Sequence, residues 1–158
     1  MKQIGRALLA LMLVASLSTQ ARAADEDDVK AAVVAMFEAL ANYDADGWID
    51  AHTANPTLFG GGPLGAMLAD GTFDRAATRA QFEQNKTQGV PPNVIQVQHL
   101  NAKVMGNVAY TTAYLILTNG NNPPQRWRST MIWIKQSGQW KRDHYHSSPL
   151  YPNQPTQN

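Results

Sequence analysis

Two histidines near the C-terminus, His144 and His146, are the residues whose type and spacing most invite chemistry. They lie two apart in a segment, Gln139 to Ser147, that reads as a strand, so both imidazoles are expected on one face. Trp140 and Arg142 should share that face, with Lys141, Asp143, Tyr145 and Ser147 on the other. An imidazole changes charge near neutral pH, which suits general acid–base catalysis or contact with a ligand. A metal site would need further ligands, and the chain offers only His52, His99 and distant acids. It has no cysteine, so thiolate ligation and disulfides are excluded and no metal is expected. The structural alternative is that the rings fill a sheet face and bond neighbouring hydroxyls or backbone. Asp143 is the only acid after Glu83. Its neighbours along the strand face away from it, so it is expected to pair with Arg126, Arg128 or Lys141 rather than to orient His144.

Aromatic residues with polar tips supply the walls that a small-molecule pocket uses: Tyr43, Trp48, Tyr110, Tyr114, Trp127 and Trp133. Tyr110, Thr112 and Tyr114 alternate along one strand face. The same residues could equally be core, and for Trp48 and Trp133 core and pocket wall are one thing. The chain carries no Ser-His-Asp arrangement and no cofactor fingerprint, so no cofactor is expected. Gly60-Gly61-Gly62-Pro63-Leu64-Gly65 lacks the strand-to-helix setting and the Lys-Ser/Thr of a phosphate loop.

The elements that must position these residues fall into two halves. Asp25 to Asp28 favour a helix start, and Val29, Val33, Met36, Phe37, Leu40 and Tyr43 then recur at helical spacing. Asp44-Ala45-Asp46-Gly47 breaks this helix, and a short second one is expected from Trp48 to about His52, stopped by Asn55-Pro56. Thr57 to Phe59 reads as a short strand. The Gly-rich yet apolar segment Gly60 to Gly71 could cover a pocket. Asp74 can cap a third helix through about Lys86, ended by Gly89 and Pro91-Pro92. Beyond Pro92 the period changes to two. Strands are expected at Val94 to Met105, with a bulge near Gln98-His99, and at Val108 to Thr118, which is apolar on both faces. A final hairpin, Arg126 to Lys135 and Gln139 to Ser147, turns at Ser137-Gly138. Helices segregated from strands mean α+β: three helices packed on the concave face of a curved antiparallel sheet, a cone with an opening between the layers.

Lys2 and Arg6, an apolar run of about 11 residues from Ala7 to Leu17, and Ala21-Arg22-Ala23 together read as a cleavable signal peptide over residues 1–23. That run is shorter than the roughly 20 residues that span a bilayer. A periplasmic or secreted product is expected, with no membrane attachment after cleavage. Cleavage leaves about 135 residues, one domain with one core, followed by a Pro-, Gln- and Asn-rich tail at 149–158 expected to be disordered. The mature net charge of about −2 carries no concentrated basic footprint, which argues against nucleic-acid binding. Eleven of the 12 acids lie before Gln84 and seven bases after it, as expected for an acidic helical layer and a basic sheet.

This order of elements resembles the nuclear transport factor 2-like superfamily, its SnoaL-like members and the association domain of calcium/calmodulin-dependent kinase II above all. The resemblance rests on Asn42-Tyr43-Asp44 with Trp48, on Ala69-Asp70-Gly71, on Ala113-Tyr114, and most on the final hairpin. That hairpin runs from Arg128-Ser129-Thr130-Met131-Ile132-Trp133 through Gly138-Gln139-Trp140 to His144-Tyr145-His146-Ser147-Ser148. It implies a SnoaL-like domain over 24–148 with a pocket inside the cone, on the face carrying Tyr110, Thr112 and Tyr114. The isomerase-like members place a carboxylate where this chain has Gly60-Gly61-Gly62. The kinase domain lines its pocket with arginines at positions resembling Ile116 and Met131, implying a more neutral pocket here. Dehydratase-like members use a Tyr-Asp pair that Tyr43-Asp44 resembles. The fold hosts many functions, so two readings follow. One is a module binding a small, mostly apolar molecule or a dimeric scaffold, with Tyr43, Trp48, His52, Tyr110, Tyr114, Met131 and Trp133 around the ligand. The other is a cofactor-independent dehydratase, isomerase or cyclase using His144, His146 or Asp44. A homodimer through the outer face of the sheet is expected, because one cone covers only one face of the strand at Val108 to Thr118.

Overall fold

A computed structural model of the chain describes residues 23–60 and 73–150. The expected signal peptide up to Arg22, most of the Gly-rich segment including Ala69-Asp70-Gly71, and the tail from Tyr151 lie outside the described residues.

Helix α1 spans residues 23–41, and Val29, Val33, Met36, Phe37 and Leu40 form its buried stripe. It ends in a paired-bond cap. Tyr43 takes a left-handed conformation (φ 52°), its N–H donates to the Leu40 carbonyl, and the Asp44 N–H donates to the Ala39 carbonyl at 2.9 Å. A tyrosine in this conformation costs about 1 kcal/mol relative to glycine. Its hydroxyl offsets that by donating to the Val90 carbonyl at 2.7 Å. Asp44 then starts helix α2 (Ala45–Asp50) by accepting from the Gly47 N–H at 2.9 Å. The Asp-Ala-Asp-Gly segment is thus a cap and first turn rather than a break. A side chain at Gly47 would collide with the Asp44 carboxylate.

Strand β1 (His52–Gly60) is longer than the expected Thr57 to Phe59. It tolerates Pro56 because it is an edge strand whose pairing is irregular between His52 and Thr57. Helix α3 (Arg75–Thr87) starts on Asp74, which accepts from the Ala77 N–H at 2.9 Å, and stops at Gly89 with φ 64°. Strands β2 (Asn93–Met105), β3 (Val108–Asn119), β4 (Gln125–Gln136) and β5 (Gln139–Pro149) form the antiparallel meander. β1 adds to it in parallel against β5, giving five strands in the order β1-β5-β4-β3-β2 instead of the four-stranded meander expected.

Two bulges set which side chains face inward. The expected one in β2 is present, with His99 at φ 51° between the pairs Gln98–Tyr114 and Asn101–Thr112. The second, in β5, was not legible in the alternation: Arg142 pairs with Trp133 and His144 with Ile132, so Asp143 is an extra residue. It reverses the parity of the strand. Trp140 and Arg142 before it, and Tyr145 and Ser147 after it, are all buried on the inner face. The alternation had placed His144 and His146 with Trp140 and Arg142; the bulge puts them on opposite faces.

The helices cover the concave inner face. Ala109, Thr111, Ala113, Leu115 and Leu117 of β3 meet Ser129, Met131 and Trp133 of β4 there. Trp133 and Thr111 are both fully buried, and the indole N–H donates to the threonine hydroxyl at 3.0 Å. On the outer face Phe59, Tyr110, Tyr114 and Ile132 remain exposed.

Candidate functional site around His52 and Arg142

The chain folds the junction of α2 and β1 directly onto the bulge of β5. The Arg142 N–H donates to the Ala51 carbonyl at 2.7 Å, and the Lys141 ammonium donates to the Asp50 carbonyl. The Thr53 hydroxyl donates to the Asp143 carboxylate at 2.7 Å. Asp143 is therefore held by a hydroxyl of β1, whereas ion pairs with Arg126, Arg128 or Lys141 had been expected. Arg75 ties α3 into the same junction, donating to the carbonyls of Ile49 (3.2 Å) and Thr53 (2.8 Å).

At this junction the Arg142 side chain is 1% exposed. Its guanidinium lies over the Trp48 ring at 5.1 Å and over the Tyr145 ring at 4.8 Å, so it meets π electrons from two rings. At its edge, Nη2 donates to His52 Nε2. Nε and Nη1 are buried and have no hydrogen-bonding partner. Burial pulls the guanidinium down from its ordinary value to about 9, so it is still charged at neutral pH.

His52 is 3% exposed and reads clearly as a neutral ring. Its Nδ1 lies 2.7 Å from the Trp48 carbonyl, which can only accept, so Nδ1 carries the proton and Nε2 offers its lone pair to Arg142. Burial, then the charge of Arg142, hold it well below the ordinary histidine value, with Arg75 and Lys141 acting in the same direction. Aromatic neighbours enclose it: Trp48 at 5.0 Å and Phe73 at 4.8 Å between ring centroids, with Phe82 at 6.4 Å from Trp48. The Trp48 indole N–H is also buried without a partner.

The residues singled out from the sequence separate into three places. Trp48, His52, Met131 and Trp133 are buried on the inner side. Tyr43 stays partly buried against this core, edge-on to Phe82 at 6.1 Å. Tyr110 and Tyr114 are on the outer face, opposite to the concave placement that the resemblance implied, because the inward positions of β3 are the odd-numbered small and aliphatic residues. Ile116 is likewise outward while Met131 is inward, so the two do not share a pocket. His146 lines a groove of about 550 Å³ on the outer face with His99, Tyr114, Thr130 and Arg128. His144 stands beside Phe59 at 5.7 Å. Asp44 lies at a third location, an exposed groove of about 800 Å³ between α1, α2 and the β4–β5 turn, and its carboxylate is engaged as a helix cap.

The interior is also not the neutral one that was expected. Arg142 is the residue that sequence reasoning missed. The signal was there, an arginine two residues from Trp140 on the same face, but without the bulge it counted as sharing that face with the histidines. Among the described residues no group of three His, Cys, Asp or Glu side chains converges as metal ligands do.

Comparison with known proteins agrees with this architecture. Residues 29–152 match the family model described as SnoaL-like domain. Among curated proteins none matches the sequence. An NTF2-like protein of unknown function from Pseudomonas putida KT2440 superposes with a TM-score of 0.64 at 19% identity, covering 84% of this chain and 98% of that one. A Streptomyces avermitilis protein of the NTF2-like family, provisionally assigned as a dehydratase, gives 0.62 at 18% identity over 81% and 97% of the two chains. A Shewanella frigidimarina protein provisionally assigned as a ketosteroid isomerase gives 0.55 at 18% identity over 74% and 91%. At these identities the structures speak to fold alone. With the family model covering nearly all of the described domain, the chain belongs to the SnoaL-like domain family, within the NTF2-like superfamily.

Proposed function

We propose that this chain is an exported SnoaL-like module that binds a small molecule between its helices and the concave face of the sheet. One observation carries the reading. The inner layer keeps polar donors that the protein does not satisfy: the indole N–H groups of Trp48, Trp127 and Trp140 and two nitrogens of Arg142, all buried. A core built only for packing gains nothing from such groups, since each buried donor without an acceptor costs about 1–3 kcal/mol. Export is supported by the basic, apolar and small-residue pattern of residues 1–23. The outer face, with its exposed Tyr110, Tyr114 and Ile132, supports a homodimer.

The rival reading, a proton-transfer enzyme, draws on the provisional names of two structural neighbours. The geometry favours binding over it. His52 has its Nε2 lone pair occupied by Arg142, Asp44 caps a helix, and His144 and His146 lie on the opposite face from the interior. Native mass spectrometry of protein purified from an exporting host tests the proposal. The mature mass should carry a small-molecule adduct that denaturation releases. Protein that emerges without one, and gains none on incubation with a cell extract, speaks against it.

A further inference from the structure

The described residues bury one arginine and no lysine, and that arginine has no carboxylate beside it. A guanidinium carries five N–H donors. Here one nitrogen is used on a neutral imidazole, two have no partner, and the Trp48 and Tyr145 rings supply only π density. Methionine or leucine would fill the same space at lower cost, since an uncompensated buried charge is strongly unfavourable. Neighbouring charges deepen the imbalance. Arg75 and Lys141 are spent on backbone carbonyls, and the nearest acid along the strand, Asp143, is engaged by Thr53. The junction is a buried cluster of positive charge walled by aromatic rings.

We infer that Arg142 is the anchor for the carboxylate of a small ligand whose apolar body lies against Trp48, Phe73 and Tyr145. The inference rests on the binding function proposed above and adds the chemical class of the ligand. A carboxylate supplies an acceptor to Nε or to Nη1, which lie on opposite edges of the guanidinium, and in a dry setting such a charge-assisted hydrogen bond is strong. His52 positions the guanidinium. With its proton held on Nδ1 by the Trp48 carbonyl, it presents a lone pair to Nη2 and leaves the other nitrogens to the ligand.

Thermal unfolding of the mature protein with three probes tests this. Phenylacetate has the charge and the apolar body, phenylacetamide has the body alone, and inorganic phosphate controls for charge and ionic strength. Phenylacetate should raise the melting temperature saturably while the other two leave it in place. Arg142→Met should keep or raise the melting temperature of the free protein, because it removes the unpaired charge. It should also weaken phenylacetate binding by at least about tenfold, the loss of a charge-assisted hydrogen bond. Arg142→Lys, which retains a charge without the fork, guards against a folding defect and should bind with intermediate affinity. His144→Ala and His146→Ala, on the outer face, should bind as the wild type does. Equal binding of phenylacetate and phenylacetamide, unchanged by Arg142→Met, would overturn the anionic ligand class and leave the binding function standing. Absence of any shift with either aromatic probe well above millimolar also overturns the inference. If native mass spectrometry shows no adduct as well, the binding reading falls with it.

Discussion

At the scale of single residues, side chains that hold the fold are distinct from those proposed to meet a ligand. Asp44 belongs to the first group. Its exposed carboxylate accepts from the Gly47 N–H, so Asp44→Ala should cost about 1 kcal/mol in a denaturant melt and Asp44→Asn only a few tenths. Loss of ligand binding in the stable Asn variant would instead give the carboxylate a chemical role. His52 gives a pH prediction. Its folded form stays neutral below the ordinary value of 6.5, where the unfolded imidazole takes up a proton. The unfolded state then binds more protons, so this contribution to stability is complete above pH 6.5. It is lost as the pH falls toward the depressed folded value, by at most about 1.4 kcal/mol per pH unit. His52→Gln keeps an acceptor for Arg142 and removes the titration. Its stability should therefore fall less steeply on acidification than that of the wild type; equal slopes would mean that His52 is already charged when folded.

At the scale of elements, the alternation and caps in the sequence were enough for α1, α3, the four strands of the meander and the first bulge, whereas α2 lies at Ala45–Asp50 and His52, expected at its end, opens β1. The helical stripe of α1, the cap at Asp74 and the turn at Ser137-Gly138 all have local causes that a reader of the chain can see. The second bulge has a tertiary cause: Asp143 is displaced where β1 and the end of α2 press on β5, and Thr53, which holds it, lies 90 residues away. That single residue decided the legibility of the site. It moved Arg142 away from the histidines, toward Trp48 and His52, and left the histidine pair outside. Deleting Asp143 forces either Arg142 or Tyr145 out of the inner layer. The deletion variant should lose the near-ultraviolet dichroism of the packed tryptophans; a variant that folds with the wild-type melting temperature would show that the bulge is incidental.

At the scale of the whole molecule, a SnoaL-like cone has two surfaces with different work. The inner one holds the buried aromatic and cationic junction. The outer one exposes Phe59, Tyr110, Tyr114 and Ile132, with Phe59 61% exposed and Tyr114 48%. Large exposed apolar patches mark interaction surfaces in general, and we propose that a second copy related by a two-fold axis covers this face. Sedimentation of protein purified from an exporting host should give a dimer at micromolar concentration, and Tyr114→Asp combined with Ile132→Asp should give a folded monomer. A wild-type monomer would remove the outer face from the account. The acidic helical half and basic sheet half of the sequence match the two layers, which is why charge distribution anticipated the architecture but not the buried cation inside it.

The central claim, that the interior around Arg142 receives the ligand, is tested most directly in the proton–nitrogen NMR spectrum of the arginine Nε–H groups during titration with phenylacetate. Burial beside the Trp48 and Tyr145 rings should give Arg142 a displaced, slowly exchanging Nε–H signal that is missing in Arg142→Met. The account predicts that this signal moves saturably with the carboxylate and stays still with phenylacetamide. A signal that stays fixed while resonances of Tyr114 and His146 respond would place the ligand on the outer face and contradict it.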